Sequence, residues 1–596
     1  MTQSPEIGKS RVRREDAPLV TGNASYTDDI DPEETVHAAF HRSQFGHARI
    51  KDIDTSAAEA AEGVLAVYTA ADVAESGAPG VIPIDPIWPD QKTVDYPLLA
   101  DDTAHYAGEP IAMVVAEDRY LAHDGADLVD VEYERLDAVV ETGEALADDA
   151  PVVHDGMEDN CSFETVLGDE AATEDAFAEA DHVVSLDLNN QRLIPDSMEP
   201  RGAIAQYVPE EERYFTQFST QAPHRTRTSF AQALDLDEED IHVSVPDVGG
   251  GFGLKGGSAY SEEPLVLWAT DQVDRPVKWV ATRMESHQSD HHGRDVLTDV
   301  ELALDDDGTM RGLRMDATFD AGAYLAWAVT SASSFQNLIS GQYDIPAISA
   351  RLRAVFTNTT PTAPYRGAGR PEAIYAVERI VDHAAQQLGM DPVELRRQNQ
   401  IPPDAFPFET AHGVVYDSGD YERTMDVALE EAGYEEWRER QAAAREEGRY
   451  LGIGVTCFVE NTGTTAPLPE TAKVRLTGEG HVEGFAGTLD HGQGHHTAFS
   501  QVLADEFGVD YEDVDFFDGD TDDLSTGVGT FGSRSAVVGG SALVQAAEEV
   551  VEQAKSVAAE RFEADPEDVE FSDGAFNLAG APDRSLTLSE VATIAR

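Results

Sequence analysis

The stretch PDVGGGFGLKGG, residues 246–257, carries more information about this chain than any other. It follows the alternating apolar run IHVSV, residues 241–245, which predicts a strand that ends in a glycine-rich loop. Glycines in such a loop can adopt positive φ and allow a ligand to approach the main chain, and successive N–H groups can converge on an anion. A tight surface loop has the same composition, so the stretch alone leaves both interpretations open. The glycines around Phe252 are Gly249, Gly250, Gly251 and Gly253.

The composition indicates a large acidic protein of several domains. The chain has 596 residues, more than one hydrophobic core can serve, and 114 Asp and Glu against 41 Lys and Arg give a net charge of -73. Because the acidic residues are spread over nearly every segment, we interpret them as a solvated surface adapted to concentrated salt. Such a surface argues against nucleic acid and anionic membranes as partners.

The cysteine count and the N-terminal segment bear on metal binding and compartment. Cys161 and Cys457 cannot supply the four thiolates of an iron–sulfur cluster or a structural zinc site, and we expect both to be buried free thiols. The N-terminal segment MTQSPEIGKSRVRRED has no apolar signal region, and no apolar run approaches the length of a transmembrane helix. These features predict a cytoplasmic protein.

Hydrophobic periodicity predicts a mixed α/β and α+β fold in three regions. Residues 1–145 alternate strand and helix patterns and predict a compact α/β unit, and the acidic, aperiodic stretch 142–160 is the best candidate for a linker. Residues 161–400 contain alternating strands and helices together with the glycine loop. Residues 401–596 include a charged helical stretch, 421–448, and a second glycine-rich site.

Further segments share the character of the glycine loop, because each places a polar side chain among small residues or turn formers. They are FSTQAPHRTR at 218–227, APYRGAGRPEA at 363–373, LDHGQGHHTAFSQ from 489 and GTFGSRSAVVGGSA from 529. Together they would suit a large polar cofactor that carries phosphates. Taken singly, Gln221 is also compatible with a helix cap and Arg366 with a salt bridge. Ser533 and Ser535 are also compatible with turns.

In this order, the motifs resemble those of the molybdenum-cofactor-binding large subunits of the xanthine dehydrogenase, aldehyde oxidase and carbon monoxide dehydrogenase family. The likeness covers nearly the whole chain, from REDAPLVTGNASYTDDI and HYAGEPIAMVVAEDR through MEPRGAIAQY and RPVKWVATRMESHQSDHHGRD to PYRGAGRPEA and DHGQGHHTAFSQ. The resemblance implies an N-terminal α/β hammerhead-like domain over 1–145, followed by molybdenum-cofactor-binding domains over 161–400 and 401–596.

The resemblance also implies the chemistry and the partners. Molybdenum is then held by a molybdopterin dinucleotide, the cytosine form, rather than by protein side chains. Water supplies the oxygen that is inserted into a small-molecule substrate. Two electrons leave through an iron–sulfur small subunit and an FAD-binding medium subunit, so that iron–sulfur and FAD groups belong to those partners.

The site residues implied by the resemblance follow from the motifs by position. Gln221 matches the glutamine that hydrogen-bonds a molybdenum ligand, Phe252 the phenylalanine beside the metal, and Arg366 the arginine near the metal's ligands. The other matches are Gly250, Gly251 and Gly253 in the glycine loop, Gly492, Gln493 and Gly494 on the pterin, and Gly532, Ser533 and Ser535 on the phosphate side. An amide donor and converging N–H groups suit such a cofactor.

Three positions depart from particular members of the family. Gly256 replaces the glutamate that binds the heterocycle in purine-oxidising members, and Ala368 replaces their sandwiching phenylalanine. Gly367 occupies the position of the copper-binding cysteine of carbon monoxide oxidisers, so the soft thiolate for Cu(I) is missing. We therefore expect an aldehyde or an aromatic heterocycle as substrate, and a carbon monoxide dehydrogenase large subunit is the alternative.

The resemblance implies a further C-terminal segment with a glutamate that acts as general base, and this sequence has no counterpart of it before Arg596. We therefore expect the catalytic base to be missing from residues 1–596 and to lie on a separate C-terminal chain. The alternative is a truncated, non-catalytic cofactor-binding fragment. In both cases these residues alone are expected to turn over no substrate.

A histidine-rich metallohydrolase is a competing hypothesis. Its candidate ligands are Asp490, His491, His495 and His496, with His291 and His292. The spacing of His491 and His495 is helical, but Gly492 and Gly494 argue against a helix through them. The molybdenum hypothesis is therefore favoured.

The thermal stability of the chain is expected to rise with KCl into the molar range. A net charge of -73 repels itself at every separation that dilute buffer leaves unscreened. The measurement is the midpoint of thermal unfolding from low salt to molar KCl. A midpoint that stays flat or falls over this range would contradict the adaptation to salt.

Overall fold

A computed structural model of the chain describes residues 5–256, 260–463, 468–581 and 583–595. Strands in parallel and antiparallel pairs alternate with helices along the chain, so the mixed α/β and α+β fold predicted from the sequence is confirmed. In the part of the chain described here, no helix has both the length and the apolar character that a membrane span requires.

The N-terminal region combines short helices with strands. Its strands are β1 (Val36–Arg42), β2 (Ala48–Asp54), β3 (Val64–Thr69), β4 (Val81–Ile82), β5 (Tyr96–Pro97), β6 (Thr103–Ala104), β7 (Pro110–Ala116) and β8 (Asp130–Arg135). Its helices are α1 (Asp16–Thr21), α2 (Ser56–Glu59), α3 (Ala70–Glu75) and α4 (Arg119–Asp127). Asp118 caps α4 by accepting a hydrogen bond from the backbone N–H of Leu121 at 2.9 Å, which fixes the start of this helix after the buried strand β7.

The middle region contains the longest strands. They are β9 (Cys161–Gly168), β10 (His182–Asn190), β11 (Gly202–Val208), β12 (Arg213–Phe218), β13 (Ile241–Ser244), β14 (Val277–Val280), β15 (Val296–Leu304), β16 (Met310–Gly322) and β17 (Ala347–Phe356). The helices are α5 (Glu170–Glu179), α6 (Pro223–Leu234), α7 (Glu262–Val273), α8 (Arg283–Ser289), α9 (Ala328–Phe335), α10 (Arg370–Leu388) and α11 (Pro392–Asn399). The predicted strand before the glycine loop is β13.

A seven-stranded sheet joins the first two regions, in the order β13-β12-β11-β14-β1-β7-β3. Strand β1 pairs in parallel with β14, where Val36 lies opposite Val277. Both residues are fully buried in one core with Trp279 and Phe230. Residues 1–145, predicted as a compact unit, therefore share a sheet and a core with the region that follows. This sheet ends, at β13, directly before the glycine loop.

A five-stranded sheet, β10-β15-β16-β17-β9, packs against the apolar face of α10. Ala145 and Val153, from the stretch 142–160, are each 1 % exposed and belong to this core. The side chain of Asn160 accepts a hydrogen bond from the N–H of Val153 at 2.8 Å and donates one to the carbonyl of Ala145 at 3.0 Å. The candidate linker is therefore a packed connection, in which Asn160 satisfies two backbone groups.

The C-terminal region has smaller sheets covered by long helices. The strands are β18 (Phe408–Glu409), β19 (Val415–Tyr416), β20 (Ala472–Leu476), β21 (Val482–Ala486), β22 (Val514–Phe517), β23 (Val569–Ser572), β24 (Ala575–Leu578) and β25 (Ser585–Thr587). The helices are α12 (Tyr421–Ala432), α13 (Tyr434–Glu446), α14 (His495–Phe507), α15 (Gly540–Phe562) and α16 (Leu588–Ala595). The charged stretch 421–448 is helical as predicted, with a break at Gly433, whose φ is 67°.

The N-terminal arm packs on the C-terminal region. The guanidinium of Arg14 lies 4.0 Å from the ring centroid of Tyr511 and donates to the carbonyl of Val514 at 2.5 Å. The carboxylate of Glu15 accepts a hydrogen bond from the N–H of Thr497, in the first turn of α14, at 2.8 Å. The arm therefore fixes the start of the helix that follows the second glycine-rich site. Both cysteines are free, as expected, but they are only partly buried.

Candidate functional site

Gln221 joins two of the glycine-rich segments. It precedes α6 and is 2 % exposed. Its side-chain oxygen accepts a hydrogen bond from the N–H of Gly253 at 2.8 Å, and its Nε2 donates to the carbonyl of Thr530 at 2.8 Å. Its own N–H donates to the carbonyl of Lys255 at 2.7 Å. Gln221 is therefore not a helix cap, since it ties the glycine loop to the loop that contains Ser533.

The glycines of the first loop allow protein segments to approach closely. A Cβ on Gly251 would lie 2.6 Å from the amide carbon of Gln221, and a Cβ on Gly253 would lie 2.2 Å from the carbonyl oxygen of Pro364. Real Cβ atoms do not approach other atoms so closely, so a side chain at either position would displace a neighbouring loop. The loop is packed between protein segments at these positions rather than open to a ligand.

Positive φ is confined to part of this loop. Gly250 and Gly253 have φ of 98° and 94°, and Phe252, which is not a glycine, has φ of 57°. Gly249 and Gly251 lie outside the left-handed region, so these two do not use the positive φ that glycine allows. At both positions it is the close approach of a neighbouring side chain, and not the backbone conformation, that requires glycine.

A buried ion pair closes the same loop. The carboxylate of Glu199 accepts hydrogen bonds from the N–H of Gly249 at 2.8 Å and from Nζ of Lys255 at 2.7 Å. Lys255 is 3 % exposed, and its burial lowers the pKa of its ammonium group, although the charge of Glu199 opposes this. Sequence analysis did not single out Glu199, because its two partners lie 50 and 56 residues further along the chain.

Phe252 and Arg366 lie next to each other. The N–H of Arg366 donates to the carbonyl of Phe252 at 2.9 Å, and the ring of Phe252 is 40 % exposed. The side chain of Arg366 is exposed, and it makes no hydrogen bond or ion pair with another residue that the structure describes. The alternative of a structural salt bridge is therefore not supported, and the guanidinium remains available to a ligand.

The loop around Ser533 presents free donors. Gly532 and Ser533 both have left-handed φ, 57° and 56°, and a π-helical turn, Ser535–Gly539, follows before α15. In the described part of the chain, the N–H groups of Ser535, Ala536 and Val537 have no acceptor. Three unpaired N–H groups at the start of a helical segment form a site for an anion.

Arg534 holds this loop in shape. It is fully buried, donates to the carbonyl of Gly529 at 2.7 Å and to that of Leu468 at 2.8 Å, and forms an ion pair with the buried carboxylate of Glu470. Sequence analysis named its neighbours Ser533 and Ser535 but not Arg534. The long-range pairing with Glu470, 64 residues away, gave no local signal.

The predicted pterin loop is organised by Asp490. Its carboxylate accepts hydrogen bonds from four successive backbone N–H groups, at 2.6 to 3.0 Å, those of Gly492, Gln493, Gly494 and His495. Burial raises the pKa of Asp490, but the hydrogen bonds from the backbone, together with the charges of His495 and His496, hold the pKa below its usual value. A contact between this loop and a pterin has to come from atoms other than these N–H groups.

The histidines do not form a metal site. His491 precedes α14 and His495 begins it, so the glycines interrupt the helix as expected. His291 stacks on Tyr260 with ring centroids 4.0 Å apart, and His496 pairs with Asp518 at 3.3 Å. No three His, Cys, Asp or Glu side chains among the described residues are grouped to hold a metal ion. The metallohydrolase hypothesis therefore has no support.

Asp490→Asn is expected to lower the free energy of unfolding at pH 7 by about 1–2 kcal/mol, because an amide offers one acceptor oxygen where the carboxylate serves four N–H groups. Since the folded-state pKa is depressed, this stabilisation is present above the ordinary pKa of aspartate, about 3.9, and is lost as pH falls further. Denaturant unfolding measures the difference. Asp149→Asn, at an exposed position without a hydrogen bond in the described structure, is the control. Equal stability of Asp490→Asn and the unchanged chain would refute this role.

Comparison with known proteins finds matches to most of the chain. Models of a molybdopterin cofactor-binding domain match residues 153–400 and 427–596, and a model of the a/b hammerhead domain of aldehyde oxidase and xanthine dehydrogenase matches residues 21–137. The chain is 34% identical, over 98% of its length, to the nicotine 6-hydroxylase large subunit of Paenarthrobacter nicotinovorans and covers 73% of it. It is also 34% identical, over 97% of its length, to the carbon monoxide dehydrogenase large chain of Hydrogenophaga pseudoflava and covers 75% of it.

Comparison of the fold with solved structures leads to the same group of proteins. The structure superposes on that of quinoline 2-oxidoreductase from Pseudomonas putida 86 with a TM-score of 0.93 and 36% identity, over 99% of this chain and 76% of the other. Identity and coverage at this level place the glycine-rich loops in a shared architecture. The chain therefore belongs to the family of molybdopterin-binding large subunits that includes xanthine dehydrogenase, aldehyde oxidase and carbon monoxide dehydrogenase.

Proposed function

We propose that this chain, a molybdopterin-binding large subunit of the molybdenum hydroxylases, serves the hydroxylation of an aldehyde or an aromatic heterocycle. The observation that carries the proposal is the convergence of three predicted site residues. Gln221 bonds to the loop of Phe252, and the N–H of Arg366 bonds to Phe252 itself. Three segments that are distant in sequence thus meet around one point.

The residues present fit the cofactor. The exposed guanidinium of Arg366 and the free N–H groups of Ser535, Ala536 and Val537 suit an anionic, phosphate-bearing group. Thr488, fully buried and close to the π-helical turn, has a hydroxyl without a hydrogen-bond partner in the described structure. Such an unpaired buried group is costly unless a ligand or water satisfies it.

Each site residue has a role that its geometry allows. When bound, the molybdenum cofactor supplies the transfer of oxygen from water and accepts two electrons from the substrate. Gln221 uses one of its two amide protons on Thr530 and keeps the second for a ligand of the metal. Phe252, which is 40 % exposed, would lie beside the cofactor, and Arg366 would offer a positive charge to an anionic ligand.

The substrate class rests on the loop 363–373. A Cβ on Gly367, whose φ is 103°, would lie 2.4 Å from the ring of Pro371, so a copper-binding cysteine at this position would require the loop to move. Carbon monoxide oxidation, the alternative, is therefore disfavoured. Two similar proteins are named for heteroaromatic compounds, nicotine and quinoline, which favours a substrate of that kind.

The partners and the setting complete the proposal. An iron–sulfur small subunit and an FAD-binding medium subunit would take up the electrons, because residues 1–596 contain only two cysteines. The charge of -73 favours a salt-rich cytoplasm.

Elemental and nucleotide analysis tests the cofactor. The native complex is expected to contain molybdenum, to release cytidine monophosphate on acid hydrolysis, and to carry its iron on the separated partner chains. Absence of molybdenum, or iron in stoichiometric amount on this chain alone, would refute the proposal.

Arg366→Ala and Gln221→Ala separate site chemistry from folding. Arg366→Ala should leave the free energy of unfolding within about 0.5 kcal/mol, because its side chain is unpaired, and should lower turnover of the complex by about tenfold or more. Gln221→Ala should lower the turnover of the complex and also the free energy of unfolding. The free energy should fall by about 2 kcal/mol, because two backbone groups lose their hydrogen-bond partner.

Denaturant unfolding and steady-state turnover of the assembled complex measure both effects. Gln232→Ala is the matched control, since Gln232 is exposed on α6 and makes no side-chain hydrogen bond in the described structure. Full turnover in both site variants would show that these residues lie away from the reacting atoms.

A further inference from the structure

Arg225 is a cation without a counterion. It is the third residue of α6 and partly buried, and its guanidinium carbon lies 4.1 Å from the ring centroid of Trp327 and 5.4 Å from that of Phe531. It makes no hydrogen bond or ion pair with any residue in the described ranges. In a chain with 114 acidic residues, a partly buried arginine without a carboxylate is a marked exception.

Arg225 borders the candidate site. Phe531 directly follows Thr530, whose carbonyl accepts the hydrogen bond of Gln221. On the other side, Trp327 precedes α9, and α9 packs so closely on the loop of Arg366 that a Cβ on Gly369 would lie 1.8 Å from a carbonyl oxygen of that helix. Arg225 thus lies between two segments that bound the site.

The backbone at Trp327 supports a role for this position. Trp327 has φ of 77°, a left-handed conformation that is strained for a bulky residue. Such strain persists only where the surrounding structure holds the residue in that conformation, and it is found mainly at functional sites. Here the strained residue puts its indole ring over the guanidinium of Arg225.

The groups around the guanidinium of Arg225 indicate which kind of ligand it can bind. Two aromatic rings interact with the guanidinium, and its N–H donors have no acceptor among the described residues. Burial, with a smaller contribution from Arg534, lowers the pKa of Arg225 to about 10, so that it stays charged at neutral pH. A fork of parallel N–H donors matches the two oxygens of a carboxylate, and neighbouring rings favour a flat molecule that carries it.

We propose that Arg225 binds the carboxylate of an aromatic acid, with Trp327 and Phe531 against its ring, so that the substrate of this hydroxylase is an anionic aromatic or heteroaromatic compound. The proposal rests on the proposed function, which it narrows to a class of substrate. The same donors could instead meet a phosphate of the cofactor, and the experiment distinguishes these two anions.

The test is a fluorescence titration of the purified complex, loaded with cofactor, at constant KCl. Benzoate is the probe and neutral benzamide its matched control. Benzoate is expected to change the tryptophan emission saturably, Arg225→Gln to weaken this binding by about tenfold or more, and benzamide to give no saturable change. Arg227→Gln is the control variant, because Arg227 already pairs with Glu238 at 3.3 Å, and it should bind benzoate like the unchanged complex.

A second variant tests the proposed site at a residue other than Arg225, so that the test does not depend on the folding of Arg225→Gln. Trp327→Phe should retain benzoate binding in calorimetry but lose the change in emission, which places the ligand beside this ring. Equal benzoate affinity in Arg225→Gln and the unchanged complex would overturn the proposal. So would a benzamide affinity equal to that of benzoate.

Molybdenum and cytidine monophosphate contents of the same samples separate the remaining outcomes. The alternative outcome is that Arg225→Gln loses the molybdenum and cytidine monophosphate that the unchanged complex contains. This result would assign Arg225 to a phosphate of the cofactor and overturn the substrate proposal. A complex that never contains molybdenum would instead refute the proposed function. The expected result is a normal molybdenum and cytidine monophosphate content in every variant, with benzoate binding weakened only in Arg225→Gln.

Discussion

The two hydrogen bonds of the Gln221 amide are the constraint on which the candidate site depends. One partner, Gly253, lies 32 residues away and the other, Thr530, lies 309 residues away. No apolar contact specifies orientation in this way, because hydrophobic burial is not directional. A buried amide that bonds to both loops sets their distance and angle together, and leaving either backbone group unpaired would cost about 1–3 kcal/mol.

Four basic residues around the candidate site fall into two groups. Lys255 and Arg534 are paired with carboxylates and hold loops in shape, at Glu199 and Glu470. Arg225 and Arg366 have no such partner in the described structure, although acidic residues outnumber basic ones almost threefold, 114 to 41. Removing one partner of a buried pair costs several kcal/mol, so the first group stabilises the loops. The charges of the second group are not neutralised by any residue that the structure describes.

Sequence analysis predicted the elements and the meeting of the motif segments, because strands, helices and motifs leave local patterns. Gln221, Phe252 and Arg366 do converge. The analysis did not predict that Glu199 and Asp490 would occupy N–H groups of the glycine loops, since hydrogen bonds between distant or irregular segments leave no periodic signal. For the same reason the packed stretch 142–160 and the sheet shared across the first boundary were not predicted.

The hydrogen bonds made by Glu199, Gln221 and Asp490 limit which N–H groups of the glycine loops can bind a ligand. A glycine-rich sequence suggests many free N–H donors, yet the N–H groups of Gly249 and Gly253 and those of the loop around Gln493 are bound to protein acceptors. Donors already satisfied cannot select a ligand, so the selectivity of the site has to come from the few that are left. Those around Ser535 are backbone groups and would bind any anion of suitable shape. The side chains of Arg225 and Arg366 differ in this respect, because only a side chain can be changed by substitution without altering the loop that carries it. Differences in substrate among proteins with this architecture are therefore expected to arise at such side-chain positions, and the paired loops can remain the same.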